Sequence, residues 1–204
     1  WGDMDFETLC KTAKEMGYDG LEIMCCSHID PKRAAEDMDY CNELKGTMEK
    51  YGLKTWALAA HIVGQCVGDK WDPRLDNFAP SELAGKPEEI RKWAIETMMY
   101  VPKAAKNMGV DVVTGFMGSP IWAYWYSFPQ TTEEMIDAGY QEIVDLWTPI
   151  FDEFDKNGVL FALEVHPTEI AFDYYTAERL LDEFDYRETL GFNFDPSHLL
   201  WQGV

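Results

Sequence analysis

The chain has 204 residues, 47% of them hydrophobic, and 17 Lys and Arg against 37 Asp and Glu give a formal net charge of −20. That length and apolar content suit a single domain over residues 1–204 and exclude a disordered or fibrous chain. A surface this negative repels phosphate backbones, no basic stripe offsets it, and no apolar run reaches the ~20 residues that span a bilayer, so neither nucleic acid nor membrane is expected as a partner.

The chain opens Trp1-Gly2-Asp3, with neither an initiator Met nor a signal-peptide pattern, which reads as a truncated start. Asp5 is placed to cap an amphipathic helix whose stripe is Phe6, Leu9, Cys10, Ala13 and Met16. That helix ends at Gly17 and the run YDGLEIMC follows at once. The same punctuation recurs at Gly52 before LKTWALAA, at Gly109 before VDVVTGF and at Gly158 before VLFALEV, each glycine standing where a left-handed residue stops a helix. Between the last two joints, Thr131 and Glu134 fit a capping box. The helix they introduce carries Met135, Tyr140, Ile143, Val144, Trp147, Ile150 and Phe154 on one stripe, and Pro149 within it predicts a kink or a restart. A further helix around Tyr175 to Phe184 leads to a fifth strand, Thr189 to Phe194.

Five cysteines, Cys10, Cys25, Cys26, Cys41 and Cys66, are an odd number without CxxC spacing. Reduced, mostly structural thiols in a cytoplasmic protein are expected.

Helices alternating with near-continuous apolar strands indicate a parallel α/β fold. A doubly wound sheet and a (β/α)8 TIM barrel both fit that alternation, but neither G-x-G-x-x-G nor GxxxxGK[ST] occurs. The residues that carry chemistry instead sit at the carboxyl ends of successive strands. His28 follows the first, His61 follows WALAA, Glu164 and His166 end FALEV, and Asp195 and His198 follow GFNF. That is the layout of a barrel's catalytic face. A whole barrel needs ~250 residues, so a partial chain is expected, lacking the first strand, with Trp1 to Asp3 as its tail, and lacking the last strands.

Carboxylates at neighbouring strand mouths can share one divalent cation, and imidazole shifts preference toward Mn, Fe, Co or Zn. Glu164 and Asp195 are the first-choice ligands. The competing reading is that they cap the helices that follow, as Asp195 before Pro196 could.

The segments EMGYDGLEI, AAHIVGQ, GFMGSPIW, FALEVHP and above all GFNFDPSHLLWQG resemble the xylose-isomerase-like TIM-barrel superfamily of sugar phosphate isomerases and epimerases, along essentially the whole chain. The resemblance implies a divalent metal, Mn²⁺ first with Mg²⁺, Co²⁺ or Zn²⁺ as alternatives, held by Glu, Asp, His and Glu from four late strands. Glu164 and Asp195 match the first two, and the other two would lie beyond Val204. It further implies that His198, in a catalytic role, and His166 contact substrate hydroxyls or the carbonyl, and that Glu169 joins them. His61 and His28 would line the sugar pocket, with Trp122, Trp125 and Tyr126 as an apolar wall or, equally, as lid or oligomer packing.

The activity so implied is metal-assisted proton abstraction next to the carbonyl of a keto sugar, with Glu164 as ligand and base, giving isomerisation or epimerisation. The same enolate on a 3-oxo glycoside could instead expel a group, making the protein a lyase or deglycosidase. An apurinic-site endonuclease is opposed by the charge of −20, and a non-catalytic sugar-binding barrel is the remaining alternative. Related barrels often pair, so a homo- or hetero-oligomer is expected.

Overall fold

The computed structural model describes residues 1–204. Asp5 opens helix α1 (Phe6–Glu15), its carboxylate accepting the Thr8 N–H at 3.0 Å, and Leu9, Cys10 and Ala13 turn inward. Met16, the last residue of the expected stripe, lies past the helix end and is exposed. Strand β1 (Ile23–Met24) follows, then α2 (Pro31–Glu36), α3 (Met38–Lys50), β2 (Leu58–Ala59), α4 (His61–Gly68) and α5 (Pro87–Met108). The second half runs β3 (Val112–Gly115), α6 (Glu133–Asn157), β4 (Leu160–Glu164), α7 (Tyr174–Glu183), β5 (Leu190–Asn193) and α8 (Pro196–Gln202). Gly17, Gly52, Gly109 and Gly158 all take positive φ, between +62° and +89°, at the four expected joints.

The strands lie in the order β1-β2-β3-β4-β5 and every neighbouring pair is parallel. A doubly wound sheet would reverse that order at a switch point; an unreversed order is a (β/α)8 barrel wall. Two expected strands shrink to two paired residues each. The offset is 34 residues in the Gly20–Lys54 bridge and 35 in the Ile23–Leu58 pair, so one extra residue is inserted around Thr55 and Trp56 and interrupts the ladder. Trp1 to Asp3 form a turn closed by the Met4 N–H on the Trp1 carbonyl at 3.1 Å, rather than the tail of a strand.

The core centres on α6. Tyr140, Trp147, Phe151 and Phe154 are fully buried, and the Trp147 ring lies 5.0 Å from Phe161 of β4. The helix runs unbroken through Pro149, because burial of Trp147, Ile150 and Phe151 on either side outweighs the roughly 3 kcal/mol a proline costs a helix. Its cap is Thr132, whose hydroxyl takes the Met135 N–H, one residue later than the Thr131 expected from the capping-box pattern. No helix is long and apolar enough to cross a membrane, and all five cysteines are free.

Candidate active site

Three strands deliver one cluster of side chains. Glu164 is the last residue of β4 and lies opposite Asn193 of β5 in the ladder. Asn193 Nδ2 donates to Glu164 Oε2 at 3.0 Å, so the strand pairing itself orients the carboxylate. His61, the first residue of α4 after β2, places Nε2 3.2 Å from the same oxygen. His198 of α8 places Nε2 3.1 Å from Oε1. Both carboxylate oxygens are therefore held, from partners 103 residues before and 34 residues after in sequence.

Asp195 fits both readings of its role at once. One oxygen caps α8 through the Ser197 N–H at 2.8 Å, while Oδ2 lies 3.5 Å from His198 Nε2. The hydrogen bonds from Ser197 hold its carboxyl below the usual carboxylate range, with desolvation opposing them. Glu164, Asp195 and His198 each offer one ligand atom within 4.8 Å of the others. Two carboxylates and one imidazole at that spacing fit a divalent cation, and the mixed O and N donors suit Mn²⁺, Co²⁺ or Zn²⁺ as well as Mg²⁺.

His166, two residues past β4, stacks edge-on against His198 with centroids 4.1 Å apart. Burial is the main reason its pKa is lowered, which favours the neutral imidazole. Phe116 wedges between two of these histidines, its ring 4.7 Å from His61 and 4.9 Å from His166. Neither Phe116 nor Asn193 was among the residues marked from sequence. A lone Asn in the apolar strand TLGFNF was a usable signal; an aromatic ending the strand VDVVTGF was none.

The remaining expected site residues are placed differently. His28 puts Nε2 3.2 Å from the Met4 carbonyl and faces Phe6, and it lines an open cavity of about 800 Å³ with Tyr40, Trp93 and Tyr100. His28 thus meets the N-terminal segment and not Glu164. Trp122 and Trp125 pack edge-on against Phe172 at 5.3 and 5.2 Å, and the Phe172 carbonyl accepts from Gln202 of α8, the helix that carries His198. Tyr126 points fully into solvent. Glu169, expected to touch substrate, is fully buried: Oε2 accepts the Met117 and Gly118 N–H groups at 2.7 and 2.8 Å. This inward placement has a local cause. Thr168 takes φ +87° and turns Glu169 away from the strand mouth into the protein.

A model of the xylose isomerase-like TIM barrel family matches residues 2–204. The uncharacterized protein YfiH of Bacillus subtilis (strain 168) is 23% identical over 211 residues, covering 100% of this chain and 63% of its own length. The structure of the 3-keto-D-glucoside 4-epimerase YcjR from E. coli superposes with a TM-score of 0.63 at 17% identity, over 96% of this chain and 65% of that one. A xylose isomerase-like TIM barrel protein from Mycobacterium smegmatis, in complex with magnesium, gives 0.58 at 15% identity, over 97% and 60%. The chain therefore spans less than two thirds of the length of each of these relatives.

Proposed function

The chain belongs to the xylose isomerase-like TIM barrel family, and from that premise we propose that it is a divalent-metal-dependent enzyme that moves a proton next to the carbonyl of a keto sugar, isomerising or epimerising it. The observation that carries this reading is Glu164, held on both oxygens at the mouth of parallel strands and sharing one 4.8 Å cluster with Asp195 and His198. E. coli YcjR, of similar fold, acts on a keto sugar of this class.

Glu164 and Asp195 would hold the cation, with Mn²⁺ the first expectation. When bound, it supplies charge that stabilises an enediolate. Glu164 moves the proton; bonds from His61, Asn193 and His198 fix its carboxylate in advance of reaction. His198, shared between Glu164 and Asp195, would contact a substrate hydroxyl or the carbonyl beside them. Neutral His166 offers a donor or acceptor to a substrate hydroxyl. His61 and the Trp122 and Trp125 shelf on Phe172 wall the sugar, whose C–H faces stack on aromatic rings. Five free cysteines suit a reducing compartment, hence a cytoplasmic location.

Substitution tests the assignment. Glu164→Gln is expected to abolish exchange of solvent deuterium into a keto sugar and to weaken Mn²⁺ binding by about tenfold or more, measured by mass spectrometry and titration calorimetry. A variant that keeps both properties removes Glu164 from the role. The aromatic shelf also supports a second reading, elimination from a 3-oxo glycoside with an aryl leaving group. Product mass separates the two, because isomerisation leaves it unchanged.

A further inference from the structure

A second group of carboxyls lies behind the cluster, with no contact to its ligands. Glu169 Oε2 accepts two successive amides, Met117 and Gly118. The next amide, Ser119, is taken by Asp69 Oδ1 at 2.8 Å. Three consecutive N–H groups of the segment leaving β3 thus end on two acids from two other loops. The fit is close on every side. Gly118 has φ +75°, and an added Cβ would stand 2.5 Å from the Gln65 carbonyl and 2.6 Å from the Asp69 nitrogen. Trp147 Nε1 donates to the Met117 carbonyl at 3.1 Å, and the Ile170 N–H to the Gly118 carbonyl at 3.2 Å.

One atom of this network is orphaned. Glu169 Oε1 is buried and meets no hydrogen-bond partner at good geometry, the buried Gln65 side chain being the polar group beside it. A buried carboxyl half-satisfied in this way is costly and needs a reason to be there. What the network holds supplies one: Met117 follows Phe116, whose ring touches both His61 and His166.

We infer that Glu169 and Asp69 are positioning residues, which by clamping the Met117–Ser119 amides fix the Phe116 ring and through it the orientation of His61 and His166 about Glu164. A two-amide acceptor must be immobile, and a carboxyl fully buried behind the loop is held in place whether or not it carries its proton. The consequence for chemistry rests on the reading of Glu164 as the reacting group; the positional claim does not.

The test therefore uses neither metal nor substrate. The chain has four histidines, whose ring Cε1–H signals are assignable by NMR through single substitutions. Glu169→Leu leaves two amides without an acceptor. The Glu169 N–H also donates to the His166 carbonyl at 3.1 Å, so the discriminating signal is His61, which meets the clamp through the Phe116 ring: it is expected to shift by more than a linewidth, and His166 with it, while His28, packed on Phe6, stays in place. Glu169→Gln keeps an acceptor oxygen and is expected to restore both signals. If Glu169→Leu does not fold, Asp69→Ala frees the Ser119 amide and is expected to move the same two signals by less. A folded variant whose His61 signal stays put, or whose four histidines all move alike, overturns the inference. Histidine shifts seen in a protein that exchanges no solvent proton would instead refute the reading of Glu164 and leave the clamp standing.

Discussion

Burial sets the properties of Glu169 more than any neighbour does. Its carboxyl is pushed up to about 8, first by desolvation and then by the charge of Asp69, itself raised by burial to about 6; the amides it accepts pull the other way. From the ordinary value of 4.5 up to about 8, the folded state keeps a proton that the unfolded chain has released, so Glu169 makes stability fall as pH rises through that window. One proton contributes a slope of at most about 1.4 kcal/mol per pH unit. Urea unfolding at a series of pH values from 5 to 8 is expected to show wild type losing stability faster than Glu169→Gln; parallel curves would place the proton elsewhere. The contrast with Glu164 explains what was legible. Glu164 and Asp195 could be marked because a carboxylate closing an apolar strand has few structural uses. Glu169, five positions on, was marked only through the family resemblance, and its inward turn follows a left-handed Thr168 that no glycine announces. Phe116 was hidden for a related reason: the contact that gives it a role joins β3 to His61 and His166, far away in the chain.

At the level of elements, glycine has opposite meanings in two helices. Gly64 of α4 faces the segment after β3 so closely that an added Cβ would overlap the Phe116 carbonyl oxygen, whereas Gly46 of α3 has nothing within 4 Å. Gly64→Ala is expected to cost about 1–3 kcal/mol through overpacking, and Gly46→Ala to add about 0.5–1 kcal/mol by restricting the unfolded chain. Equal effects in chemical denaturation would mean that α4 does not press on the site loop as described. The helix stops were readable from sequence because a left-handed glycine acts locally. Strand lengths were not, because the inserted residue near Thr55 and Trp56 is a property of two paired segments and not of either alone. Pro149 misled in the same way: the local rule favours a break, and the packing of Trp147, Ile150 and Phe151 overrides it.

Across the whole molecule, the unreversed order of five parallel strands places every strand end on one face, and that face collects Glu164, Asp195, His61, His166 and His198. Residues from three strands meet there because each follows its strand by a few positions at most, which is why the site could be outlined from sequence before any distance was known. His28 obeys the same rule yet contacts Met4 and Phe6, since the segment after β1 folds back on the N-terminus. The charge of −20 does not oppose this reading for an uncharged sugar. The central claim is a proton moved by Glu164 with a divalent cation at hand, and the direct measurement is mass spectrometry of a 3-keto-D-glucoside recovered from D₂O. With Mn²⁺ present we expect the sugar to gain deuterium at the carbon beside its carbonyl, to stop gaining it when a chelator is added, and to resume when Mn²⁺ is restored. Recovery of sugar with no deuterium beyond the enzyme-free control, or uptake that the chelator leaves unchanged, would contradict it.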